Sequence, residues 1–268
     1  KTIEINPNFY ASHYNLGIIC KSLSKPDEAI TCYKKSIEIK PDFAESYYNL
    51  GIVFFDLGKF REAEANFRKT IELNPNFIEA YNNLGNTLNE IGNANEAIKI
   101  LCKAIELKPN YVKSYNNLGA TLYDLGRLNE AEINLNKAIE LKADYADAYN
   151  NLGNIQLALG KLVDAEINYK KAIKFNPKLI MAHYYYSGIK QYNKEDEQFI
   201  QMYKLSQDIN LNKEKLSYIF FALAKAYKDL NQFKNSFKFY NKANIFRKKK
   251  LNYKIEEDIK LFNQLKES

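Results

Sequence analysis

Asparagine is the polar residue whose spacing in this sequence most strongly suggests a binding function. One asparagine recurs five times at an interval of 34 residues. Each side-chain amide has two N–H donors and one carbonyl acceptor, which complement the donor and acceptor of a peptide unit. Because asparagine is a mediocre helix former, its regular recurrence in a helix indicates either a binding surface or a structural link between repeats. The five residues are Asn15, Asn49, Asn83, Asn117 and Asn151.

Cysteine, histidine and the acidic residues form no recognisable catalytic or metal-binding pattern. Cys20, Cys32 and Cys102 include no Cys-x-x-Cys pair, and small buried side chains with free thiols explain them. His13 and His183 occupy a position that is tyrosine in the intervening repeats, so we expect them to pack in the core. A glycine-rich phosphate loop and a nucleophile with its base are also lacking. We therefore predict no catalytic residue, no metal site and no cofactor.

Positive charge is concentrated near the end of the sequence. The net charge is +7; residues 1–189 contain 22 basic and 22 acidic residues, whereas residues 190–268 contain 17 and 10. The cluster suits either a solvated helix end, where cations favour the negative end of the helix dipole, or a contact with a following domain or an anionic group. Since the regular repeats are neutral overall, we expect no nucleic-acid partner. The clustered residues are Arg247, Lys248, Lys249 and Lys250.

Glycine, alanine and proline share the 34-residue period and define the helices that must position these side chains. With Tyr10 as place 1, place 8 is glycine and place 20 alanine in five consecutive repeats, and place 32 is proline in four. Glycine at place 8 lets a second helix approach closely, and glycine at place 15 can end the first helix in the left-handed conformation. Proline at place 32 stops the second helix. The period therefore predicts two helices per repeat.

These markers resemble those of the tetratricopeptide repeat family, whose unit is a helix pair in 34 residues. The resemblance implies an all-α fold, a right-handed superhelical solenoid of helix-turn-helix repeats with about seven repeats and a C-terminal capping helix. No apolar run is long enough to span a membrane, and we expect a cytoplasmic location. The expected boundaries are the end of a truncated repeat at 1–9, five regular repeats at 10–179, a degenerate repeat at 180–216, a final repeat at 217–250, and a capping helix or linker at 251–268.

The family resemblance also assigns the asparagines to a groove. In tetratricopeptide repeat proteins the first helices line the concave surface, and the repeats here resemble those of O-linked N-acetylglucosamine transferases, in which an asparagine ladder holds an extended polypeptide. We therefore expect a non-catalytic interaction module that binds a protein or peptide ligand in extended conformation. The predicted groove residues are the five asparagines at place 6 together with Tyr14, Tyr48, Asn82, Asn116, Asn150, Asn86, Asn154, Phe55 and Tyr123.

Other interpretations of the repeats remain open at this stage. Residues 217–265 resemble the segment that joins tetratricopeptide repeats to a C-terminal sulfotransferase domain in bacterial proteins. That resemblance implies that the chain is the substrate-recognition region of a larger transferase, whose catalytic domain would follow in the same polypeptide. The chain also begins within a second-helix pattern, as a fragment of a longer protein would. Alternatively, the asparagines at place 6 bond between adjacent repeats and bind no ligand.

Overall fold

The computed structural model describes residues 9–193, 196–209 and 211–251, with side chains as far as Lys248. Every regular element in this part of the chain is an α-helix, so the prediction of an all-α helical repeat is confirmed. The chain divides into two compact units, Lys1–Ala143 and Asp144–Ser268, which we call unit 1 and unit 2. The predicted truncated repeat, apart from Phe9, and the predicted capping helix beyond Leu251 lie outside the described residues.

The described part of unit 1, residues 9–143, consists of eight helices arranged as four pairs. The two helices of each pair pack together, and each second helix packs on the first helix of the next repeat. One repeat therefore touches only its neighbours, as in other repeat proteins. The helices are α1 Tyr10–Ser22, α2 Pro26–Ile39, α3 Ala44–Asp56, α4 Phe60–Leu73, α5 Ile78–Glu90, α6 Ala94–Leu107, α7 Val112–Asp124 and α8 Leu128–Leu141.

Unit 2 contains two regular helix pairs separated by an irregular one. Helices α9 and α10 form the first pair and α13 and α14 the last, while α11 packs against both α10 and α13. The helices are α9 Ala146–Ala158, α10 Leu162–Phe175, α11 Ile180–Ile189, α12 Glu197–Leu205, α13 Lys213–Asp229 and α14 Phe233–Leu251.

The first helix of the irregular pair is shorter than expected, because the repeat register predicts a helix over Ile180–Tyr192 whereas α11 ends at Ile189. Tyr192 leaves the helix and turns into the core, where it is only 4% exposed and its hydroxyl donates to Gln198 Oε1 at 3.1 Å. Its backbone N–H donates to Asp229 Oδ2 at 3.1 Å. The burial of the Tyr192 ring and the two hydrogen bonds of this residue take the place of a further turn of α11.

Glycine at place 8 allows the two helices of each regular repeat to touch. A β-carbon added to Gly85 would lie 2.5 Å from Leu101 Cγ, and the same contact at the other four repeats would be 2.6–2.8 Å. The side chain under each glycine sits at place 24 and is almost completely buried. These five side chains are Tyr33, Phe67, Leu101, Leu135 and Tyr169.

The turn at place 15 requires the left-handed conformation whether or not glycine occupies it. The four glycines there have φ values between 72° and 88°. Ser24 and Asn231 occupy the equivalent place in the first and last repeats, each with φ of 57°. Asparagine tolerates this conformation better than most other residues, which suits Asn231 to the turn.

Replacing Gly85 with alanine is expected to destabilise unit 1 by about 1–3 kcal/mol, because the new methyl group forces the buried Leu101 side chain out of place. The measurement is the free energy of unfolding from urea denaturation. Gly188→Ala is the matched control, since no atom of the described residues lies within 4 Å of the added β-carbon and the φ of Gly188 is not in the left-handed region. An equal loss of stability in both variants would contradict the steric explanation.

Candidate functional site

A row of hydrogen bonds connects the first helices of unit 1, and we call it the seam. In each case the side-chain amide at place 6 donates to a side chain at place 5 of the preceding repeat. Asn49 Nδ2 donates to the Tyr14 hydroxyl and Asn83 Nδ2 to the Tyr48 hydroxyl, both at 3.1 Å. Asn117 Nδ2 donates to Asn82 Oδ1, also at 3.1 Å. The predicted groove residues of unit 1 therefore bond to one another across repeat boundaries.

The asparagines at place 5 are buried beneath the surface of the first helices. Asn82 is 3% exposed, and Asn116 and Asn150 are each 7% exposed. Asn82 Nδ2 donates to Asn83 Oδ1 at 3.3 Å, while its own Oδ1 also accepts from Ser114 Oγ at 3.4 Å. Such buried, mutually bonded amides fix the orientation of the place-6 side chains beside them.

In unit 2 the pattern ends at the degenerate repeat. Asn150 Nδ2 donates to Asn151 Oδ1 at 3.3 Å, as in the earlier repeats. Place 6 of the following repeat, however, is Tyr185, which stacks on Tyr169 with ring centroids 6.1 Å apart. Within the described residues, the buried Oδ1 of Asn150 has no donor. The substitution at place 6 explains this unpaired oxygen.

A cavity of about 320 Å³ lies on the first-helix face of unit 1 and brings together four of the predicted groove residues. We call it the α3–α5 cavity. Tyr48 and Phe55 come from α3, and Asn83 and Asn86 come from α5. The remaining lining residues are Ile52, Asp56, Phe67, Glu79, Tyr111 and Lys113.

The aromatic hydroxyls of this cavity are shielded from water and lie near a carboxylate. Burial, together with the nearby Tyr111 and Glu79, raises the pKa of Tyr48 to about 12, although the hydrogen bond from Asn83 acts in the opposite direction. Burial and the charge of Glu79 also raise the pKa of Tyr111. Both hydroxyls are therefore protonated at neutral pH and available as hydrogen-bonding groups.

The remaining predicted site residues are not gathered into this cavity. Asn15 is exposed on α1, and Tyr123 is half-buried on α7. In unit 2, Asn154 Oδ1 accepts from the Tyr169 hydroxyl at 2.9 Å. Arg247 and Lys248 are exposed on α14, whereas the side chains of Lys249 and Lys250 lie outside the described part.

Several residues that line the cavity are not asparagines, so the repeated asparagine pattern does not predict them. Tyr111 precedes α7 as its N-cap residue and makes no side-chain capping bond. Its signal in the sequence is the large apolar or aromatic residue at place 34 of each regular repeat. Glu79 and Lys113 both occupy place 2, where the residue type varies from repeat to repeat. The complete set at place 34 is Phe43, Phe77, Tyr111, Tyr145 and Leu179.

The cysteines and His183 in the described part of the chain are buried or half-buried packing residues. The three cysteines are free, with Cys20 buried and Cys32 and Cys102 half-buried. Burial raises the pKa of Cys32 to about 11, so its thiol is protonated at neutral pH. His183 is fully buried, and its Nε2 lies 2.9 Å from the Pro177 carbonyl oxygen. Over this part of the chain, no three His, Cys, Asp or Glu side chains converge on a common point.

Among the described helices, none combines the length and the apolar character needed to cross a membrane.

Paired helices linked through a seam, with an open cavity on the first-helix face, define a helical-repeat scaffold for protein interaction. Family models agree: a model described as a TPR repeat matches residues 19–58, and others described as tetratricopeptide repeats match 44–77, 76–144, 110–178 and 217–244. The chain belongs to the tetratricopeptide repeat family.

Solved structures support the same assignment, whereas no curated protein sequence matches the chain. YrrB, described as a TPR protein with an unusual peptide-binding site, is 25% identical, with a TM-score of 0.53 over 68% of this chain and 94% of YrrB. MamA is 27% identical, with a TM-score of 0.54 over 63% of this chain and 92% of MamA. TTC0263, a thermophilic TPR protein from Thermus thermophilus, is 22% identical, with a TM-score of 0.59 over 67% of this chain and 98% of the TTC0263 chain. This structure shares the fold.

A double-mutant cycle on Asn82 and Asn117 tests the energy of the seam. Asn82→Ala is expected to lower the free energy of unfolding by about 1–3 kcal/mol, because it leaves buried donors without an acceptor. The coupling energy between the two alanine variants should be about 0.5–1.5 kcal/mol. Asn82→Ala combined with Asn15→Ala is the control and should be additive. A coupling of zero in the first cycle would show that the seam bond contributes nothing.

Stability at high pH provides a second test of the site. Since the folded state favours protonated Tyr48, its contribution to stability is complete below pH 10 and is lost as the pH rises toward 12. The free energy of unfolding of the wild type should therefore fall over this pH interval. The free energy of unfolding of Tyr48→Phe should fall less steeply. The difference in tyrosinate absorbance between wild type and Tyr48→Phe should also show a midpoint near pH 12. Identical slopes and a midpoint near 10 would contradict the burial of this hydroxyl.

Proposed function

We propose that the first-helix face of unit 1 binds an extended segment of another protein at the α3–α5 cavity. The observation that carries this proposal is the convergence of Tyr48, Phe55, Asn83 and Asn86 around one opening of about 320 Å³. Aromatic and amide side chains together offer apolar contact area and peptide-like hydrogen bonds. A ligand site of this kind is concave and combines apolar walls with a few oriented polar groups.

The amides of the cavity retain capacity to bind a peptide backbone. Asn83 uses one N–H of its amide for the bond to Tyr48, so a second N–H is left for a ligand carbonyl. Asn86 is half-buried in the cavity wall, and within the described residues its side chain makes no hydrogen bond. Each amide contact contributes about 0.5–1.5 kcal/mol net. After the cost of ordering a flexible ligand is subtracted, we expect micromolar or weaker binding.

The links within the seam and the binding of a ligand are compatible roles for the asparagines. Bonds between repeats hold the amides of Asn49, Asn83 and Asn117 in fixed positions before a ligand arrives. Such preorganisation lowers the entropy lost on binding. The buried Asn82 and Asn116 act indirectly in this proposal, because they orient the place-6 amides but are shielded from a ligand. The peptide-binding site named for YrrB, a similar repeat protein, supports the same class of ligand.

The proposal is tested by selecting random 12-residue peptides displayed on phage against the 268-residue chain and measuring the selected synthetic peptides by fluorescence anisotropy. Asn86→Ala should weaken binding by about two- to tenfold, the equivalent of one hydrogen bond. Phe55→Ala should also weaken it, because apolar contact area is lost.

The matched control is Asn134→Ala on α8. Among the described residues, the amide of Asn134 bonds only within its own helix, to the Glu130 carbonyl at 2.9 Å. Peptides whose affinity is unchanged in Asn86→Ala and Phe55→Ala would refute binding at this cavity. A selection that yields no binding peptide would refute the proposed function as a whole.

The role of the repeats in a larger protein stays a prediction. The sequence resemblance of residues 217–265 to a repeat-to-sulfotransferase junction suggests a catalytic domain as a partner in the same polypeptide. The coding sequence that follows Ser268 tests this hypothesis, because a sulfotransferase domain would contain a glycine-rich phosphate loop. A cytoplasmic location is likewise proposed, and fractionation of the native cells tests it.

A further inference from the structure

We propose that the α3–α5 cavity takes an arginine side chain of the bound segment and thereby selects which segments bind. This inference rests on the proposed function and adds a requirement on the ligand sequence. Three properties of the lining residues support it: their charge, the lack of an ion-pair partner of Glu79 within the described residues, and the presence of two tyrosine rings in the same cavity.

The ionisable groups of the cavity give it a negative charge. Asp56 and Glu79 contribute two carboxylates, and Lys113 contributes one ammonium group. Asp56 is partly neutralised by Lys21, whose Nζ lies 3.7 Å from Asp56 Oδ2. Glu79 has no such partner in the described part of the chain, although Lys113 lines the same cavity. A cationic ligand group would therefore supply the ion-pair partner that Glu79 lacks within the described residues.

Glu79 lines the same cavity as Tyr48 and Tyr111. Burial raises the pKa of Tyr111, and the charge of Glu79 adds to this increase. The same carboxylate adds to the increase at Tyr48, after burial and the effect of Tyr111. The carboxylate and both tyrosines therefore line one cavity of about 320 Å³, and the field of the carboxylate reaches both hydroxyls.

The walls of the cavity suit the stem and the head of an arginine separately. Phe55 and Ile52 offer apolar contact to the three methylene groups of the stem, as buried stems of long basic side chains require. Tyr48 and Tyr111 contribute rings on which a planar guanidinium can stack. A cation already lies over one of them, because Lys108 Nζ is 5.5 Å from the centroid of the Tyr111 ring. Glu79 can then accept charge-assisted hydrogen bonds from the guanidinium.

Arginine fits this arrangement better than lysine or an acidic side chain. Its planar, delocalised cation both stacks on aromatic rings and donates in a fork to a carboxylate, whereas an ammonium is a compact and strongly hydrated point charge. An acidic side chain would be repelled by Glu79 and Asp56. Lysine is therefore expected to bind more weakly than arginine, and glutamate not at all.

The test uses blocked amino acids as probes, N-acetyl-arginine amide and its neutral isostere N-acetyl-citrulline amide, titrated into the full chain. The reporter is the Ile52 methyl signal in an NMR spectrum, assigned by its loss in Ile52→Val. We expect a saturable shift with the arginine probe and about fivefold weaker binding of the citrulline probe, the size of one partly exposed charge pair. In Glu79→Gln the two probes should bind equally.

Glu45→Gln is the matched control, because Glu45 occupies the same place 34 residues earlier and does not line the cavity. It should leave the preference for arginine unchanged. Equal binding of both probes to wild type, or equal effects of Glu79→Gln and Glu45→Gln, would overturn the inference. If selected peptides bind at the cavity without an arginine preference, only this inference fails. If the arginine preference holds but no peptide binds, the proposed function fails and the cavity is left as a site for a free arginine group.

Discussion

The missing β-carbon at place 8 is the constraint on which the repeat geometry depends. The backbone of the first helix rests directly on a large buried side chain of the second helix, and Gly85 on Leu101 is one example. Because this contact recurs at five glycines, the two helices of each regular repeat approach one another in the same way. The partner side chain varies from leucine to phenylalanine and tyrosine, whereas the glycine does not. The repeat therefore requires the absence of a β-carbon at place 8 and does not require a particular side chain at place 24.

A fixed helix pair lets polar side chains on successive first helices meet at constant distance. The three place-6 donors of unit 1 all lie 3.1 Å from their acceptors, even though the acceptor is a tyrosine hydroxyl in two cases and an asparagine oxygen in the third. A second contact of this kind joins Asn89 to Asp124, with Nδ2 and Oδ2 2.7 Å apart. The bonding pattern thus follows from the geometry of the backbone and tolerates exchange of the acceptor.

The fold could be predicted in detail because its signals are local and repeated. Glycine, alanine and proline markers each fix one turn or one close contact, and five copies remove ambiguity. The degenerate pair in unit 2 was less predictable, since the early end of α11 depends on Tyr192 finding a place in the core. That core includes Met202 and Leu223, which are distant in sequence.

The candidate site was only partly predictable from sequence. A helical-wheel argument places Asn82 and Asn83 on the same polar side of one helix. It cannot tell that the next repeat covers Asn82, because Ser114 and Asn117 of that repeat provide the covering contacts. The same limit applies to Tyr111, which comes to the cavity from the N-cap of α7. Contacts between repeats determine both the burial of Asn82 and the position of Tyr111, and the sequence of a single repeat does not show these contacts.

The α3–α5 cavity arises where two variable places hold aromatic residues in the same repeat. Tyr48 at place 5 and Phe55 at place 12 form its walls on α3. The first repeat has tyrosine at place 5 but Lys21 at place 12, and the third to fifth repeats have asparagine at place 5. The asparagines at place 5 of those repeats are buried, whereas Tyr48 is half-buried, lines the cavity and accepts the seam hydrogen bond at its hydroxyl. One side chain thereby joins the structural link to the proposed binding surface. Variation at two places of an otherwise regular repeat is enough to give this part of the chain a cavity of its own.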